Sequence, residues 1–498
     1  MTATVDSLGL AEGLILGPRP DPAAPVTGLC VDSREARDGH VFAALRGTTL
    51  DGAEFAQYAI RMGATAVIAS LDGALRARDA IGGFPVPFII DDDPRRRLAL
   101  TAARFFGGQP ETLVAVTGTN GKTSVASFSR QLWTALGRRA VNLGTTGVEG
   151  AVTRPLAHTT PEPITLHREL AALAAEGVTH AAMEASSHGL AQRRVDGCRL
   201  AAGALTLIAR DHMDYHVDYA DYAAAKLGLF ARALPEGAAA VVNADDPAFA
   251  PAADICRERS LRLISVGTGE DSALRILGTA FHEAGQTLRF AWEGAERVAD
   301  LSLIGGFQSL NALVAAGLLI GAGEDPAAVF SALSGLRGVR GRMEEVARRA
   351  NGARVYVDYA HTPDALAAAL TALRPHTPGR LIVAFGAGGD RDAGKRPLMG
   401  EAAARLADQV IVTDDNPRSE DPAAIRAAIL ASAPRAEECG DRAEAILRGV
   451  DALGPRDRLL IAGKGHETGQ VVGDRTLPFD DAEQARAAVA ALGSEDAP

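Results

Sequence analysis

The chain carries, at positions 113–124, the stretch Leu113-Val114-Ala115-Val116-Thr117-Gly118-Thr119-Asn120-Gly121-Lys122-Thr123-Ser124. Its apolar start predicts a strand, and a helical pattern follows over residues 123–136. Glycines between a strand and a helix let backbone amides approach a phosphate, and the helix N-terminus adds partial positive charge. Lys122 would place its ammonium on the terminal phosphates, and Thr123 would offer its hydroxyl to Mg²⁺. The stretch therefore predicts a nucleoside triphosphate site.

The loop is shorter than the common pattern GxxxxGKS/T, because Val116 and not glycine stands five residues before Gly121. A GxxGKT pattern by itself also occurs in ordinary structural turns. The predicted strand before the loop and the predicted helix after it favour phosphate binding. The loop does not indicate which reaction would use the triphosphate.

Size and composition exclude several protein classes. At 498 residues the chain is expected to form about three domains. Its net charge of -11 argues against a nucleic acid partner, since phosphate contacts need a basic surface, but it allows an anionic small substrate. The N-terminus lacks a secretion signal, and the most apolar stretch, 301–321, contains polar residues. We therefore expect a cytoplasmic monomer without a membrane span.

The cysteines also favour a reducing compartment such as the cytoplasm. They lie far apart and form no CxxC pair, which favours small buried thiols over disulfides or a zinc site. The four are Cys30, Cys198, Cys256 and Cys439.

Alternating strand and helix patterns predict an α/β protein whose sheets are mostly parallel. The expected domains are a smaller N-terminal α/β domain (1–109), a central P-loop-type ATPase domain (110–338) and a C-terminal Rossmann-like domain (339–498). Predicted strands cover 64–69, 86–90, 113–116, 180–185, 205–209, 354–357, 381–385, 410–413 and 459–462. Predicted helices cover 94–106, 123–136, 165–176 and 219–233, and residues 272–303 alternate like antiparallel strands.

Six motifs in a fixed order resemble those of the Mur ligases, which form amide bonds with ATP. They begin with the loop Gly118–Thr123 and end with Gly463-Lys464-Gly465-His466-Glu467. Between these lie MEASSHGL at 183–190, DHMDYH at 211–216 followed by Ala224-Ala225-Lys226, GRME at 341–344 and DYAHTPD at 358–364. The resemblance covers nearly the whole chain. It implies that ATP phosphorylates a substrate carboxylate, which an amine then attacks.

Negative charge gathers at each step of the implied reaction, and the resemblance implies a group of catalytic residues that would stabilise it. Lys122 is the phosphate-binding lysine, and Thr123, Glu184 and His212 are Mg²⁺ ligands. Lys226 is implied to react with CO₂, giving an N6-carboxylysine carbamate that holds a second Mg²⁺. Three of these residues also have a purely structural alternative. Glu184 would be an exposed carboxylate, His212 a structural histidine and Lys226 a lysine whose stem lies on apolar surface.

The same resemblance implies the nucleotide contacts. Besides Gly118, Thr119, Asn120, Gly121, Lys122, Thr123 and Ser124, the ATP site would include Asn311, Asp358 and His361. The Asn311 amide would contact adenine, Asp358 the ribose hydroxyls and His361 a phosphate. Gln308 stands where the family carries asparagine, so its contact is open.

The second substrate implied is UDP-N-acetylmuramoyl-L-alanyl-D-glutamate, an intermediate of peptidoglycan synthesis. Val31-Asp32-Ser33-Arg34 resembles the UDP-binding motif, with Val31 and Ser33 as contacts. The muramoyl peptide would be held by Thr159, Thr160, Ser186, Gln192 and Arg194. Thr48 and Thr49 match a contact loop only weakly, and His158 replaces an expected asparagine.

The segment Asp415-Asn416-Pro417-Arg418 matches family members that add meso-diaminopimelate. This amine differs from lysine by a second carboxylate, for which Arg418 offers a planar fork. Glu467 would receive the distal ammonium, while Arg391 and Gly463 complete the implied pocket. A pocket built around Arg418 should reject lysine, which leaves the guanidinium unpaired.

Other functions remain open at this point. The nearest alternatives are a lysine-adding member and another Mur or folylpolyglutamate-type ligase. From a different class, a P-loop kinase or a nucleotide-dependent regulator would share only the phosphate loop. The substrates expected are ATP, UDP-N-acetylmuramoyl-L-alanyl-D-glutamate and meso-diaminopimelate, with two Mg²⁺ ions.

Overall fold

The computed structural model describes residues 3–47, 50–209 and 215–493. The chain divides into two compact units, residues 1–265 with 317–325 and residues 266–316 with 326–498. Both units are α/β and contain mostly parallel sheets, so the predicted fold class is confirmed. The three domain boundaries stay a prediction.

The first unit begins with a sheet covered by helices. Its strands are β1 (Leu14–Leu16), β2 (Gly28–Cys30), β3 (His40–Ala43), β4 (Ala64–Ala69) and β5 (Phe88–Ile90), with helices α1 (Ala56–Arg61), α2 (Leu71–Ile81) and α3 (Pro94–Phe106). The order is β1–β5–β4–β3–β2, and only the β1 pairing is antiparallel. The predicted bounds of α3 are confirmed, since Pro94 opens the helix and the Asp93 carboxylate caps it.

A second, larger sheet completes the first unit. Its strands are β6 (Thr112–Thr117), β7 (Ala140–Gly144), β8 (Gly147–Gly150), β9 (His180–Glu184), β10 (Leu200–Leu205), β11 (Ala239–Asn243) and β12 (Arg262–Gly267). These seven strands lie in the order β12–β11–β10–β6–β9–β7–β8, and the pairs from β11 to β7 are parallel. The helices are α4 (Lys122–Ala135), α5 (Pro163–Ala175), α6 (Ser187–Ala191), α7 (Tyr219–Gly228) and α8 (Phe249–Glu258).

One strand predicted in this sheet region was wrong in its bounds, and one helix was right. The strand predicted at 205–209 is β10, which covers Leu200–Leu205. The prediction missed it because its Ala- and Gly-rich sequence lacks the β-branched residues that indicate strands. The helix predicted at 219–233 is confirmed in its bounds, since it is an α-helix over Tyr219–Gly228 and continues as a π-helical turn over Leu229–Ala233.

The second unit contains an antiparallel group and a parallel sheet. The antiparallel group, β13 (Leu274–His282), β14 (Gly285–Trp292) and β15 (Ala295–Leu301), confirms the pattern predicted for 272–303. Helices α9 (Phe307–Gly321), whose residues from 317 are counted with the first unit, and α10 (Pro326–Ala332) follow. The later strands are β16 (Glu344–Arg348), β17 (Arg354–Asp358), β18 (Leu381–Phe385), β19 (Gln409–Val412), β20 (Glu437–Glu438), β21 (Arg458–Ala462), β22 (Gly469–Val472) and β23 (Arg475–Pro478).

The parallel sheet of the second unit has helices on both faces. Its order is β16–β17–β21–β18–β19–β20, and only β16 is antiparallel. The helices are α11 (Pro363–Leu373), α12 (Lys395–Leu406), α13 (Pro422–Leu430), α14 (Arg442–Asp451) and α15 (Asp481–Gly493). One core includes α11, α12 and α13, and another includes α14 and α15. Buried strands between two helix layers explain the continuous apolar runs in the sequence.

The structure agrees with the prediction of small buried thiols. All four cysteines are buried as free thiols. Within the described ranges, none of the helices combines the length and apolarity that a bilayer crossing requires.

Candidate active site

Glu184 is a buried carboxylate at the carboxyl end of β9, between β6 and β7 in the sheet. Its Oε2 accepts a hydrogen bond from Thr123 Oγ1 at 3.1 Å, and its Oε1 accepts one from Thr145 N at 2.8 Å. Thr145 Oγ1 also donates to Oε2 at 3.2 Å. Within the described part of the chain no basic side chain forms an ion pair with Glu184. Its negative charge is therefore oriented by neutral donors and left for a cation.

The phosphate loop is built around Gly118. Its φ of +145° is a value that residues other than glycine rarely adopt, and a Cβ there would lie 1.9 Å from Thr206 Oγ1. The carbonyl oxygen of Gly118 accepts from Lys122 Nζ at 2.8 Å and from Lys226 Nζ at 2.7 Å. Two ammonium groups thus meet at one carbonyl of the loop, which makes this position suited to an anion.

Helix α4 begins directly after the loop with no side chain capping it. Gly121, its N-cap residue, has a φ of +88° and offers no side-chain acceptor. The first N–H groups of a helix have no partner inside the helix, so they are available to an oxyanion. The predicted loop residues from Gly118 to Ser124 therefore have the geometry of a phosphate site.

Lys226 is held against the loop by α7. Its side chain is buried, and Nζ lies 4.5 Å from the ring centroid of Tyr222, one turn earlier in the helix. The Tyr222 hydroxyl is 2.8 Å from Thr119 Oγ1. We name the group formed by Lys122, Thr123, Thr145, Glu184 and Lys226 the phosphate-side cluster.

Sequence reasoning missed Thr145, Thr206 and Tyr222. Thr145 follows β7 at the same sheet edge as Glu184, so the rule that ligands bind at carboxyl ends of parallel strands could have indicated it. Thr206 Oγ1 donates to Asn120 O at 2.6 Å, but the wrong strand bounds concealed its loop position. No sequence signal distinguishes Tyr222 from a core tyrosine.

The residues predicted to hold the muramoyl peptide lie close together. Thr160 Oγ1 donates to Glu184 O at 2.9 Å and accepts from Ser186 N at 3.0 Å. Arg194 Nη1 donates to Thr160 O at 2.6 Å, and its Nη2 donates to Gln192 Oε1 at 2.9 Å. Their assembly beside the Glu184 main chain is compatible with one substrate surface.

Thr159 connects this surface to the phosphate-side cluster, since its Oγ1 is 3.0 Å from Thr145 Oγ1. His158, before it, is exposed.

The predicted UDP contacts follow β2. Ser33 is buried, whereas Val31 is 40% exposed. Asp32 accepts from Arg34 Nε at 2.9 Å, and this contact lowers the pKa of the Asp32 carboxyl to about 2. Thr48 and Thr49 lie outside the described residues, so the second contact loop stays a prediction.

The nucleotide residues predicted in the second unit have defined partners. Asn311, buried in α9, donates through Nδ2 to Gln308 Oε1 at 3.0 Å, so the unexpected glutamine orients the amide. Asp358 accepts from Met343 N and Ala360 N, both at 2.8 Å, and burial raises the pKa of its carboxyl. His361 is exposed on the following loop, and its Nδ1 lies 2.9 Å from Tyr359 O.

Three loops at the carboxyl ends of β18, β19 and β21 meet at Asn416. The Asn416 carbonyl oxygen accepts from Gly389 N at 2.9 Å. Its side-chain Nδ2 donates to Glu467 Oε2 at 3.0 Å, and its Oδ1 accepts from Lys464 Nζ at 2.9 Å. Residues more than 70 positions apart thus form one group, since 389 and 467 both contact 416.

Arg418 stands at the rim of this group in a left-handed conformation with a φ of +52°. Its backbone pairs with the hairpin strand β22, because Arg418 N donates to Val471 O at 3.1 Å and Gly473 N donates to Arg418 O at 2.7 Å. The guanidinium donates through Nη1 to Gly389 O at 2.7 Å. Among the described residues nothing accepts from Nε or Nη2, which leaves two donors for a carboxylate.

Gly463 allows β21 to approach this group closely. Its φ is +117°, and a Cβ there would lie 2.5 Å from Asp415 Oδ2. Asp415 is buried, whereas Arg391, on the loop after β18, is exposed. Pro417 is buried between Asn416 and Arg418. We name the group of Asn416, Arg418, Gly463, Lys464 and Glu467 the amine-side cluster.

The donor set of the phosphate-side cluster fits Mg²⁺. The ion prefers oxygen ligands, one or two carboxylates, water and substrate phosphates. Glu184 and the Thr123 hydroxyl, 3.1 Å apart, are oxygen donors of this kind. His212 lies outside the described residues, and the ranges that are described contain no group of three acidic, histidine or cysteine ligands.

Comparison with family models covers most of the chain. Residues 25–106 match "Mur ligase family, catalytic domain", residues 116–319 match "Mur ligase middle domain" and residues 341–465 match "Mur ligase, glutamate ligase domain".

Individual proteins resemble the chain over nearly its full length. The UDP-N-acetylmuramoyl-L-alanyl-D-glutamate–2,6-diaminopimelate ligase of Bradyrhizobium diazoefficiens is 53% identical over 94% of this chain and 96% of its own length. The protein of the same name from Mesorhizobium japonicum is 52% identical over 93% of this chain and 95% of its own length. A solved structure of such a ligase is 32% identical, with a TM-score of 0.73 and coverage of 99% of both chains.

Proposed function

We propose, from the premise that this chain belongs to the Mur ligase family, that it uses ATP to join meso-diaminopimelate to UDP-N-acetylmuramoyl-L-alanyl-D-glutamate. The observation that carries the choice of amine is the amine-side cluster, where Arg418 and Glu467 are brought to one loop group. The names of the relatives at 53% and 52% identity support the same substrate pair. The product would be an intermediate of peptidoglycan synthesis.

The reaction would proceed through an acyl phosphate. A carboxylate oxygen of the peptide attacks the γ-phosphorus of ATP, and ADP leaves. The amine nitrogen of diaminopimelate then attacks the acyl carbon and loses a proton, and inorganic phosphate departs as the amide forms. Because negative charge gathers on the phosphoryl oxygens, stabilisation by fixed positive groups is the main requirement.

The phosphate-side cluster would meet this requirement with Lys122 and the N-terminus of α4. Lys122 Nζ now donates to the carbonyl oxygens of Gly118 and Thr119, both at 2.8 Å. A phosphate oxygen would replace these acceptors when ATP binds. Mg²⁺ held by Thr123, Glu184 and His212 would neutralise phosphate charge and orient the oxygens.

We also propose that Lys226 is modified to N6-carboxylysine. Lys226 is buried and its Nζ donates to Gly118 O in the phosphate loop, so a carbamate there would lie beside the proposed phosphate site. The Lys226 ammonium would first lose a proton. The neutral nitrogen would then bond to the carbon of CO₂ and lose a second proton, which replaces a cation with an anion able to bind a second Mg²⁺. Carbon-13 NMR of protein incubated with labelled CO₂ is expected to show a carbamate signal that K226M abolishes. A fully active enzyme without that signal would contradict the proposal.

The remaining predicted residues have roles that fit their contacts. Thr159, Thr160, Ser186, Gln192 and Arg194 would hold the muramoyl peptide near Glu184, and Val31 and Ser33 the UDP group. Asn311, Asp358 and His361 would contact the nucleotide. Arg391, Asp415 and Gly463 would complete the amine pocket around Arg418.

Phosphate release tests the proposal against its alternatives. With ATP, Mg²⁺ and the UDP-linked dipeptide, release is expected with meso-diaminopimelate and not with L-lysine or D-alanyl-D-alanine. A lysine-adding ligase would respond to lysine, and a kinase or regulator would turn over ATP without the peptide and the amine. Sedimentation of the same protein is expected to show a monomer.

A further inference from the structure

Lys464 is a fully buried cation that no predicted role uses. Its side chain has 0% exposure although it lies in the loop after β21, where it follows Gly463. A buried ammonium is costly unless it is paired and hydrogen-bonded. Its partners are Asn416 Oδ1 at 2.9 Å and Glu467 Oε2 at 3.5 Å. Both partners belong to the amine-side cluster.

The contacts of Lys464 decide how the Asn416 amide points. Asn416 Oδ1 accepts from two groups that can only donate, Lys464 Nζ and Val471 N, each at 2.9 Å. If the amide flipped, its NH₂ would face both donors. Nδ2 is therefore fixed as the donor toward Glu467 Oε2 at 3.0 Å.

The same contacts hold the Glu467 carboxylate. Oε2 faces the Asn416 amide and the Lys464 ammonium, so Oε1 is left for another donor. The Glu467 side chain is 35% exposed, which allows a ligand to reach it. Among the described residues the second N–H of Asn416 has no acceptor. A buried cation thus fixes, through Asn416, one acceptor oxygen of Glu467 and one N–H donor of Asn416.

We propose that Lys464 is a positioning residue that determines which amine the enzyme accepts. This rests on the proposed function, because it assigns the distal ammonium of the amine to Glu467 and its distal carboxylate to Arg418 and Asn416. Lys464 does not contact the amine. It fixes the Asn416 and Glu467 side chains at the spacing that an ammonium and a carboxylate on one carbon require.

Kinetics of Lys464→Met test this assignment. Methionine fills the buried space of the lysine stem but removes the donor and the charge. The KM for meso-diaminopimelate is expected to rise about 10- to 100-fold, as for loss of a charged hydrogen bond, while the KM for ATP stays within twofold. The preference for diaminopimelate over lysine, as a ratio of kcat/KM, should fall by a similar factor.

Two further variants separate positioning from general stability. Lys464→Gln keeps a donor toward Asn416 without the charge, so its KM should lie between those of the native enzyme and Lys464→Met. Arg442 is a buried cation paired with Asp481 at 2.7 Å that also donates to Ala462 O at 3.0 Å, next to the same loop. Arg442→Met is expected to lower the melting temperature without changing the amine preference.

A folded Lys464→Met enzyme with an unchanged KM for diaminopimelate would overturn the inference. So would an equal rise in the KM values of all three substrates. If Lys464→Met does not fold, an unchanged amine preference in Lys464→Gln has the same meaning. Failure of the native enzyme to use diaminopimelate would instead contradict the proposed function.

Discussion

The phosphate-side and amine-side clusters both lie at carboxyl ends of parallel strands, but they handle charge in opposite ways. Glu184 is oriented by neutral donors from Thr123 and Thr145, so its negative charge is left for a cation. Glu467 is instead fixed by an asparagine and a buried lysine. On the proposed function, the first arrangement would serve a Mg²⁺-bound triphosphate, and the second would serve one shape of amine.

The two clusters also differ in how far apart in sequence their backbone segments lie. The phosphate-side cluster depends on a short loop, in which Gly118 and Lys122 are four residues apart and in contact. The amine-side cluster connects loops distant in sequence and holds Arg418 at a φ of +52°. Positive φ in a non-glycine residue costs about 1–3 kcal/mol and is retained where surrounding structure enforces it. The loop part of the phosphate-side cluster can therefore be recognised from a local motif, whereas Glu184, Thr145 and Lys226, like the whole amine-side cluster, are brought together by tertiary structure.

Lys122→Met should have the largest effect, because it removes a positive group from the phosphate-side cluster. Phosphate release with all substrates is expected to fall by about 10²- to 10³-fold, as when one preorganised donor to a developing oxyanion is lost. Steady-state rates at saturating diaminopimelate measure this. A loss of less than tenfold would mean that Lys122 contacts only its own loop carbonyls.

Arg418→Ala should impair the use of the amine without impairing the use of ATP. The kcat/KM for diaminopimelate is expected to fall by about 100-fold, since the distal carboxylate of the amine loses its proposed partner, while the KM for ATP changes little. Arg435, an exposed arginine of the same unit, provides the matched control, and Arg435→Ala should change neither value. Parallel losses for ATP and the amine would remove the distinction between the clusters.

Thr145→Val should have a smaller effect within the phosphate-side cluster. Valine keeps the shape and the backbone N–H bond to Glu184 but loses the hydroxyl bonds to Glu184 and Thr159. A loss of about tenfold in kcat, with a higher Mg²⁺ requirement, is expected. Thr134→Val, which removes one exposed hydroxyl bond in α4, is the control. Equal kcat values for the two variants would show that the Thr145 hydroxyl has no catalytic part.

The smallest effect concerns pH and the loop of the amine-side cluster. Burial, aided by Arg342 and Arg340, lowers the pKa of His466 from 6.5 to about 4. The folded state thus favours neutral His466. The contribution of neutral His466 to the unfolding free energy is complete above pH 6.5 and is lost as the pH falls from there toward 4. His466→Asn should flatten the unfolding free energy over that window, as urea titrations at several pH values would measure. An unchanged slope would contradict the assignment.

The sequence predicted most of the fold, because buried parallel strands leave continuous apolar runs. Strands at 64–69 and 381–385 and the helix at 94–106 have the predicted bounds. Strand β10 was misplaced because LAAGAL is composed of small residues and leucine, whose strand preference is weak.

The candidate residues could be named from motifs, but their contacts could not. The contacts of Thr145 and Lys464 follow from the pairing of β7 with β9 and of β21 with β18. Sequence spacing cannot show that residue 464 fixes the amide of residue 416, since only the fold brings them within 2.9 Å. The roles of the individual site residues stay predictions until they are measured.

Direct competition between amines tests the central claim most closely. The native enzyme would receive equal concentrations of meso-diaminopimelate and L-lysine with ATP, Mg²⁺ and UDP-N-acetylmuramoyl-L-alanyl-D-glutamate, and mass spectrometry would quantify both products. We expect the diaminopimelate product in at least about 100-fold excess, because lysine leaves the Arg418 guanidinium unpaired. Equal amounts of the two products, or no amide product at all, would contradict the claim.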